Sequence, residues 1–150
     1  MDTTNTETMD PRIHALAKHL GCDVSEISPA LYSDNAYDAE GSEYLVLTED
    51  EADELAAERI KESLWAFNVE FVSSHTKHGL NDDQIEALKE MQYKLGENAN
   101  SIVEALIEDI DHFIEDAIRC DGRGHFISSY DGEEHEVSEK VVEFYIYQTN

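Results

Sequence analysis

Basic residues are scarce in this chain: ten lysines and arginines stand against 35 aspartates and glutamates, for a net charge of −25. From Lys18 to Arg59 there is none. Asp23, Glu26, Asp34, Asp38, Glu40, Glu43, Glu49, Asp50, Glu51, Asp53, Glu54 and Glu58 all fall in that interval. Lys94 to Arg119 is bare of cations as well, so the imbalance is blocky. A field of this sign repels nucleic acid and anionic membrane and attracts basic proteins. With no basic patch to offer phosphates, direct nucleic-acid binding is excluded. Cysteine is nearly absent too. Cys22 and Cys120 form neither a CxxC pair nor a disulfide framework, which fits a reducing compartment. No apolar run approaches the roughly 18 residues that a membrane span needs. The opening MDTTNTETMD is polar and acidic, unlike a secretory or transit signal, so a cytoplasmic location (the host cell's) is expected.

What is present suffices for a core. Hydrophobic residues make up 41% of 150, with seven Tyr, five Phe and one Trp. The expected organisation is a flexible tail over 1–9 and a single acidic domain over 10–150. For a globule about 35–40 Å across, the net charge amounts to about one per 1.5 Å of length, near the 1.7 Å spacing of duplex DNA.

The chain is organised around Ser101–Gly132. Ile102/Val103, Leu106/Ile107, Ile110, Phe113/Ile114 and Ala117/Ile118 recur every three or four residues, which predicts one long amphipathic helix. Its outer face carries Glu104, Glu108, Asp111 and Glu115, with Arg119 in the last turn. Four acids over about 16 Å are sparser than the 3.4 Å spacing of one DNA strand, so this helix alone cannot imitate a duplex.

Before it, Asp10-Pro11 reads as an N-cap with proline at N1, opening a helix that stops at Gly21. Asp23 and Glu26 supply the wrong charge for a DNA-reading helix to follow. Pro29–Ser42 reads as a polar loop and Glu43–Leu47 as a strand. Thr48 and Glu51 form a capping box for a helix through Phe71, with a break near Asn68 and Trp65 as a core anchor. Asn81 and Gln84 cap the next helix, which Gly96 ends. After the central helix, His125–Tyr130 and Val141–Tyr147 have strand composition, with the acidic EEHEVSEK as their connection. The expected fold is α+β: three to four helices packed on a small, mainly antiparallel sheet with a C-terminal hairpin.

Two constellations could carry chemistry. Asp109, His112 and Asp116, at i, i+3 and i+7, place a carboxylate–histidine group on one helix face, suited to metal or acid–base work. His75 and His78 share ligand-like spacing, yet neither set brings its remaining ligands, so no cofactor, metal or catalytic residue is assigned. The DGRGHFISSYDGEE segment (residues 121–134) joins glycines that permit positive φ or close backbone approach to Arg123, a rare cation expected to clasp carboxylates or to serve a partner-binding loop. It reverses the strand-to-helix order of a P-loop and lacks the lysine. Nucleophile-elbow, Cys–His and kinase motifs are absent.

At LTEDEADELAAERIKESLWAFNVEF (47–71), DAIRCDGRGHFISSYDGEEHE (116–136) and the closing YIYQTN (145–150), the chain resembles small acidic proteins of bacteriophages and prophages. The resemblance covers most of 43–150, with DGRGHFISSYDG its most specific part. It carries over no catalytic residue. It implies a mobile-element origin and a protein that binds and inhibits a host factor. In charge and size alone, the chain is similar to acidic anti-restriction and anti-CRISPR proteins that imitate DNA.

The leading expectation is a non-enzymatic DNA-mimic type of inhibitor, binding a basic, nucleic-acid-binding host protein through Glu51, Glu54, Glu58, Glu62, Glu104, Glu108, Asp111, Glu115, Arg123 and His125. The alternatives are a metal-dependent enzyme or accessory protein of phage nucleic-acid metabolism, built on Asp109, His112 and Asp116 with the Arg123/His125 loop, and a regulatory homodimer. Solvation of helix faces and adaptation to high salt account for such acidity without any partner.

Overall fold

The computed structural model describes residues 10–31 and 33–150; the tail expected over 1–9 lies outside the described residues. The fold is α+β, with a five-stranded, wholly antiparallel sheet that ends in a C-terminal hairpin. The chain divides into two compact units, one of residues up to Leu55 together with Arg123–Asn150, the other Ala56–Gly122. No helix among the described residues is long and apolar enough to cross a membrane.

The first unit starts with α1 (Pro11–Leu20). Asp10 caps it by accepting from Arg12 N–H, and Gly21 closes it at φ 72°. Strands β1 (Ile27–Pro29), β2 (Ala36–Ala39), β3 (Ser42–Leu47), β4 (His135–Glu139) and β5 (Val142–Gln148) follow, in sheet order β1-β2-β3-β5-β4. Strand alternation sorts the side chains into two faces. Tyr37, Tyr44, Val46, Phe144 and Ile146 share a face and form one core with Ala15, Leu16 and Ala17 of α1. Leu45, opposite Tyr147, and Leu47, opposite Tyr145, lie on the other face.

Three segments depart from the sequence reading here. Pro29–Ser42, expected as a loop, contains β2 and the end of β1. Glu40 (φ 52°) and Gly41 (φ 84°) make the tight two-residue turn between β2 and β3, a job usually given to Asn-Gly. EEHEVSEK is not a connection, because His135–Glu139 is edge strand β4, paired with β5 through Val137↔Phe144. Its charged residues blunt an edge that would otherwise invite pairing, and they masked its alternation. His125–Tyr130 is no strand either: Arg123–Ile127 is a short helix, α7. Its aromatic and β-branched residues favour a strand, but tertiary context outweighs that preference.

The second unit is helical. Helix α2 (Glu49–Glu62) enters from the first, and then come a 3-10 turn (Leu64–Ala66), α3 (Val69–Ser74), α4 (Asp82–Leu95), a 3-10 turn (Gly96–Ala99), α5 (Asn100–Leu106) and α6 (Ile110–Asp121). The break expected near Asn68 is there, with Asn68 capping α3 through Glu70 and Phe71 N–H. Both capping boxes form as expected, at Thr48/Glu51 and Asn81/Gln84. Ile60, Leu64, Val72, Val103 and Phe113 are fully buried, while Trp65 is only partly so. Two amides tie the turns together. Asn100 accepts from Trp65 N–H (2.8 Å) and donates to the Glu62 carbonyl (2.8 Å). Buried Gln92 donates to the Leu64 and Phe67 carbonyls.

The long central helix is two helices. Ile107 turns extended (ψ 127°), and Asp109 (φ −136°) becomes the N-cap of α6, accepting from Asp111 and His112 N–H. Glu108 N–H, left without an intrahelical partner, donates to the His75 carbonyl at 2.9 Å. Asp is a favoured N-cap, and here that local preference wins over unbroken apolar periodicity.

Candidate functional site

The break between α5 and α6 rearranges the expected histidine group. Asp109 spends its carboxylate on the α6 N-terminus and leaves the group. His75, from the C-terminal end of α3, takes its place: its Nε2 lies 3.0 Å from Asp116 Oδ2, and His112 Nε2 lies 4.0 Å from the same oxygen. Arg119, one turn on, holds Asp116 through Oδ1. The Asp116 carboxyl is thereby held below its usual range, by the Arg119 hydrogen bond first and by the charges of Arg119, His112 and His75 besides.

Packing positions His75. Its ring meets Phe71 at 5.1 Å, Phe113 at 5.1 Å and His112 at 5.3 Å, the last two edge to face. Phe113 also packs on Phe67 and Phe71. A buried imidazole wedged among aromatics has few rotamers left, so its Nε2 stays aimed at Asp116. The three side chains line a cleft of about 400 Å³ together with Ser74, Thr76, Glu108 and Asp109. Spacing along α6 identifies His112 and Asp116, but no local signal connects them to His75. His78 is exposed and takes no part.

A second group, Cys22 with Glu26 and Glu40, could also meet around a cation. Desolvation, then Glu26, Glu40 and Asp23, raise the Cys22 thiol, which opposes formation of the thiolate that metals require.

The ten residues expected to meet a partner separate into free and engaged groups. Glu54, Glu58, Glu62, Glu104, Glu108, Asp111 and Glu115 are exposed, and their carboxylates pair with no cation among the described residues. Glu104 lies on α5, Glu108 in the break, and Asp111 and Glu115 on α6, so they do not form the single-helix stripe that periodicity predicts. His125 is exposed on α7. Glu51 is engaged: the Arg12 guanidinium forks onto both of its oxygens (2.7 and 2.9 Å), and Thr48 N–H donates to it at 2.9 Å. Arg123 is turned inward, its side chain 10% exposed. It bonds both oxygens of Glu134 (2.9 and 3.2 Å) and Asp53 Oδ1 (2.9 Å), and covers the Tyr145 ring at 4.6 Å. The carboxylate clasp foreseen for it is what the fold builds.

Glu51 gives a pH dependence. The Arg12 hydrogen bond, with help from Thr48 against desolvation, holds its carboxyl below the ordinary value. A lowered folded pKa means that the stabilisation is complete above the unfolded value, about 4.3, and is lost as pH falls through the folded one. Glu51→Gln keeps the cap and loses the charge. It is expected to cost about 1 kcal/mol at pH 7, discounted because the side chain is 34% exposed. In urea titrations the gap to the parent protein should close in acid, and a gap independent of pH would refute the assignment.

No family model, curated protein or solved structure matches this chain.

Proposed function

We propose that the chain is a non-enzymatic acidic binding protein of a phage or other mobile element, whose partner is a basic host protein that itself binds nucleic acid. The reading rests on one observation: exposed carboxylates of Glu58, Glu62, Glu104, Glu108, Asp111 and Glu115 that pair with no cation among the described residues, in a chain of net charge −25. Carboxylates left unpaired in this number repel each other, and that repulsion is relieved when lysines and arginines of a partner approach. They replace phosphates at the partner's nucleic-acid site, as in DNA-mimicking inhibitors of restriction and CRISPR systems. Glu51 and Arg123 are committed internally and leave the contact set, while Glu54 and His125 remain in it.

The test is capture of DNA-binding host proteins at low and high salt, with duplex DNA as competitor. Expected are retention at low salt, release at high salt, and displacement by DNA. Replacing Glu104, Glu108 and Glu115 by Gln and Asp111 by Asn together should weaken binding at least about tenfold, and each alone less than about twofold, because the field is shared. Unchanged binding by the fourfold variant would end the proposal.

A further inference from the structure

We propose that His75, His112 and Asp116 form a binding site for a divalent transition ion of the zinc class. The inference is independent of the acidic surface and rests on how three donors from two separate segments converge. Their ligand atoms all lie within 4.8 Å of one another. Donors about 2.0–2.1 Å from a tetrahedral Zn²⁺ stand about 3.3 Å apart. The His75–Asp116 distance of 3.0 Å and the His112–Asp116 distance of 4.0 Å bracket that value. The longer of the two belongs to the exposed residue, since the His112 side chain is 59% exposed and free to close the gap by rotation. His75, the buried donor, is already set by Phe71 and Phe113.

The donor chemistry selects the metal. Two imidazoles and one carboxylate suit zinc and its late first-row neighbours, whereas calcium and magnesium prefer oxygen alone. Arg119 occupies Asp116 Oδ1, so the carboxylate offers Oδ2 as a single-oxygen ligand in a fixed orientation. The three donors line the same cleft as Ser74, Thr76 and Glu108, whose volume of about 400 Å³ leaves room for water or a small ligand as a fourth donor. Bound metal ties the end of α3 to α6 across the break at Glu108, and therefore stabilises the helical unit by mass action.

The test uses the full chain stripped of metal. Titration calorimetry with Zn²⁺ should give one ion per chain, and saturation should raise the unfolding midpoint by roughly 5 °C or more. Co²⁺ should give intense visible bands without a thiolate charge-transfer band, which separates this site from Cys22. His112→Ala removes an exposed ligand and one ring contact to His75, so the metal-free variant should unfold within about 3 °C of the parent. It should bind Zn²⁺ at least about tenfold more weakly and lose the thermal shift. Asp116→Asn should behave alike toward metal. Absence of stoichiometric Zn²⁺, undiminished affinity in both variants, or a cobalt–thiolate band would each overturn the proposal.

Discussion

Replacing Gly124 with alanine is expected to destabilise the protein by about 3 kcal/mol, at the upper end of what overpacking costs. A Cβ at this position would stand 2.5 Å from the Gly132 carbonyl oxygen, 2.8 Å from the Glu133 carbonyl carbon and 3.0 Å from Glu134 N. All three are backbone atoms, so no side chain can swing aside. The segment they belong to is itself held. Ser128, buried, donates to the Gln148 carbonyl at 2.6 Å and accepts from Asp131 and Gly132 N–H, while the Asp131 carboxylate accepts from Glu133 N–H. Alanine must therefore push α7 away from the segment that leads into β4. Urea unfolding would show the loss as a fall in midpoint at nearly constant slope. A variant within about 0.5 kcal/mol of the parent would mean that the close approach does not exist in solution.

Arg123→Ala should cost nearly as much, about 2–3 kcal/mol. Among the described residues its guanidinium is the single cation paired with Glu49, Asp53 and Glu134, and it also covers Tyr145. Burial works against its charge. Hydrogen bonds to Glu134 and Asp53, with the charge of Glu134, more than compensate and hold it protonated well above its ordinary range. Breaking a buried pair by removing one partner typically costs about 3–5 kcal/mol. The estimate here is lower because Glu49 and Asp53 are 60% and 55% exposed and can turn to water. Glu134 has less freedom, since Tyr147, fully buried, donates its hydroxyl to it. Arg123→Lys should recover only part of the loss, because an ammonium cannot fork onto Glu134 and reach Asp53 at once. The double variant Arg123→Ala with Glu134→Gln should lie above the single variant, since it removes the charge left uncompensated. If the double is no better than the single, the loss is packing over Tyr145 and not electrostatics.

The clasp and the close approach show what was legible in DGRGHFISSYDG. That a rare cation in an acidic chain pairs internally follows from charge alone, and that one of the segment's glycines serves close backbone approach follows from its lack of a side chain. Which carboxylates and which glycine are involved did not follow. Glu49 and Asp53 lie about 70 positions away in the chain, and only folding brings them to Arg123. The helical nature of Arg123–Ile127 was hidden for a related reason: five residues carry too little periodicity to outvote aromatic and β-branched composition.

The candidate metal site divides in the same way. His112 and Asp116 are four apart, and helical geometry alone puts them together. His75 is joined to them by the turn at Glu108, whose N–H seeks the His75 carbonyl because α5 has already ended. The apolar pattern ran straight through that break, since burial on both sides of it needs the same face. Only the cap geometry of Asp109 betrays it.

The sequence by itself determined the α+β class, the helix starts at Asp10, Thr48 and Asn81, the stop at Gly21 and the outward-facing acidity. Caps and turns are settled between residues three or four apart, and charge is a sum over the chain. Tertiary structure alone decided the pairing of the charged edge strand β4, which carboxylates Arg123 meets and the meeting of His75 with Asp116. Each of these balances a weak local preference against contacts between distant segments, and those contacts exist only once the chain has closed on itself.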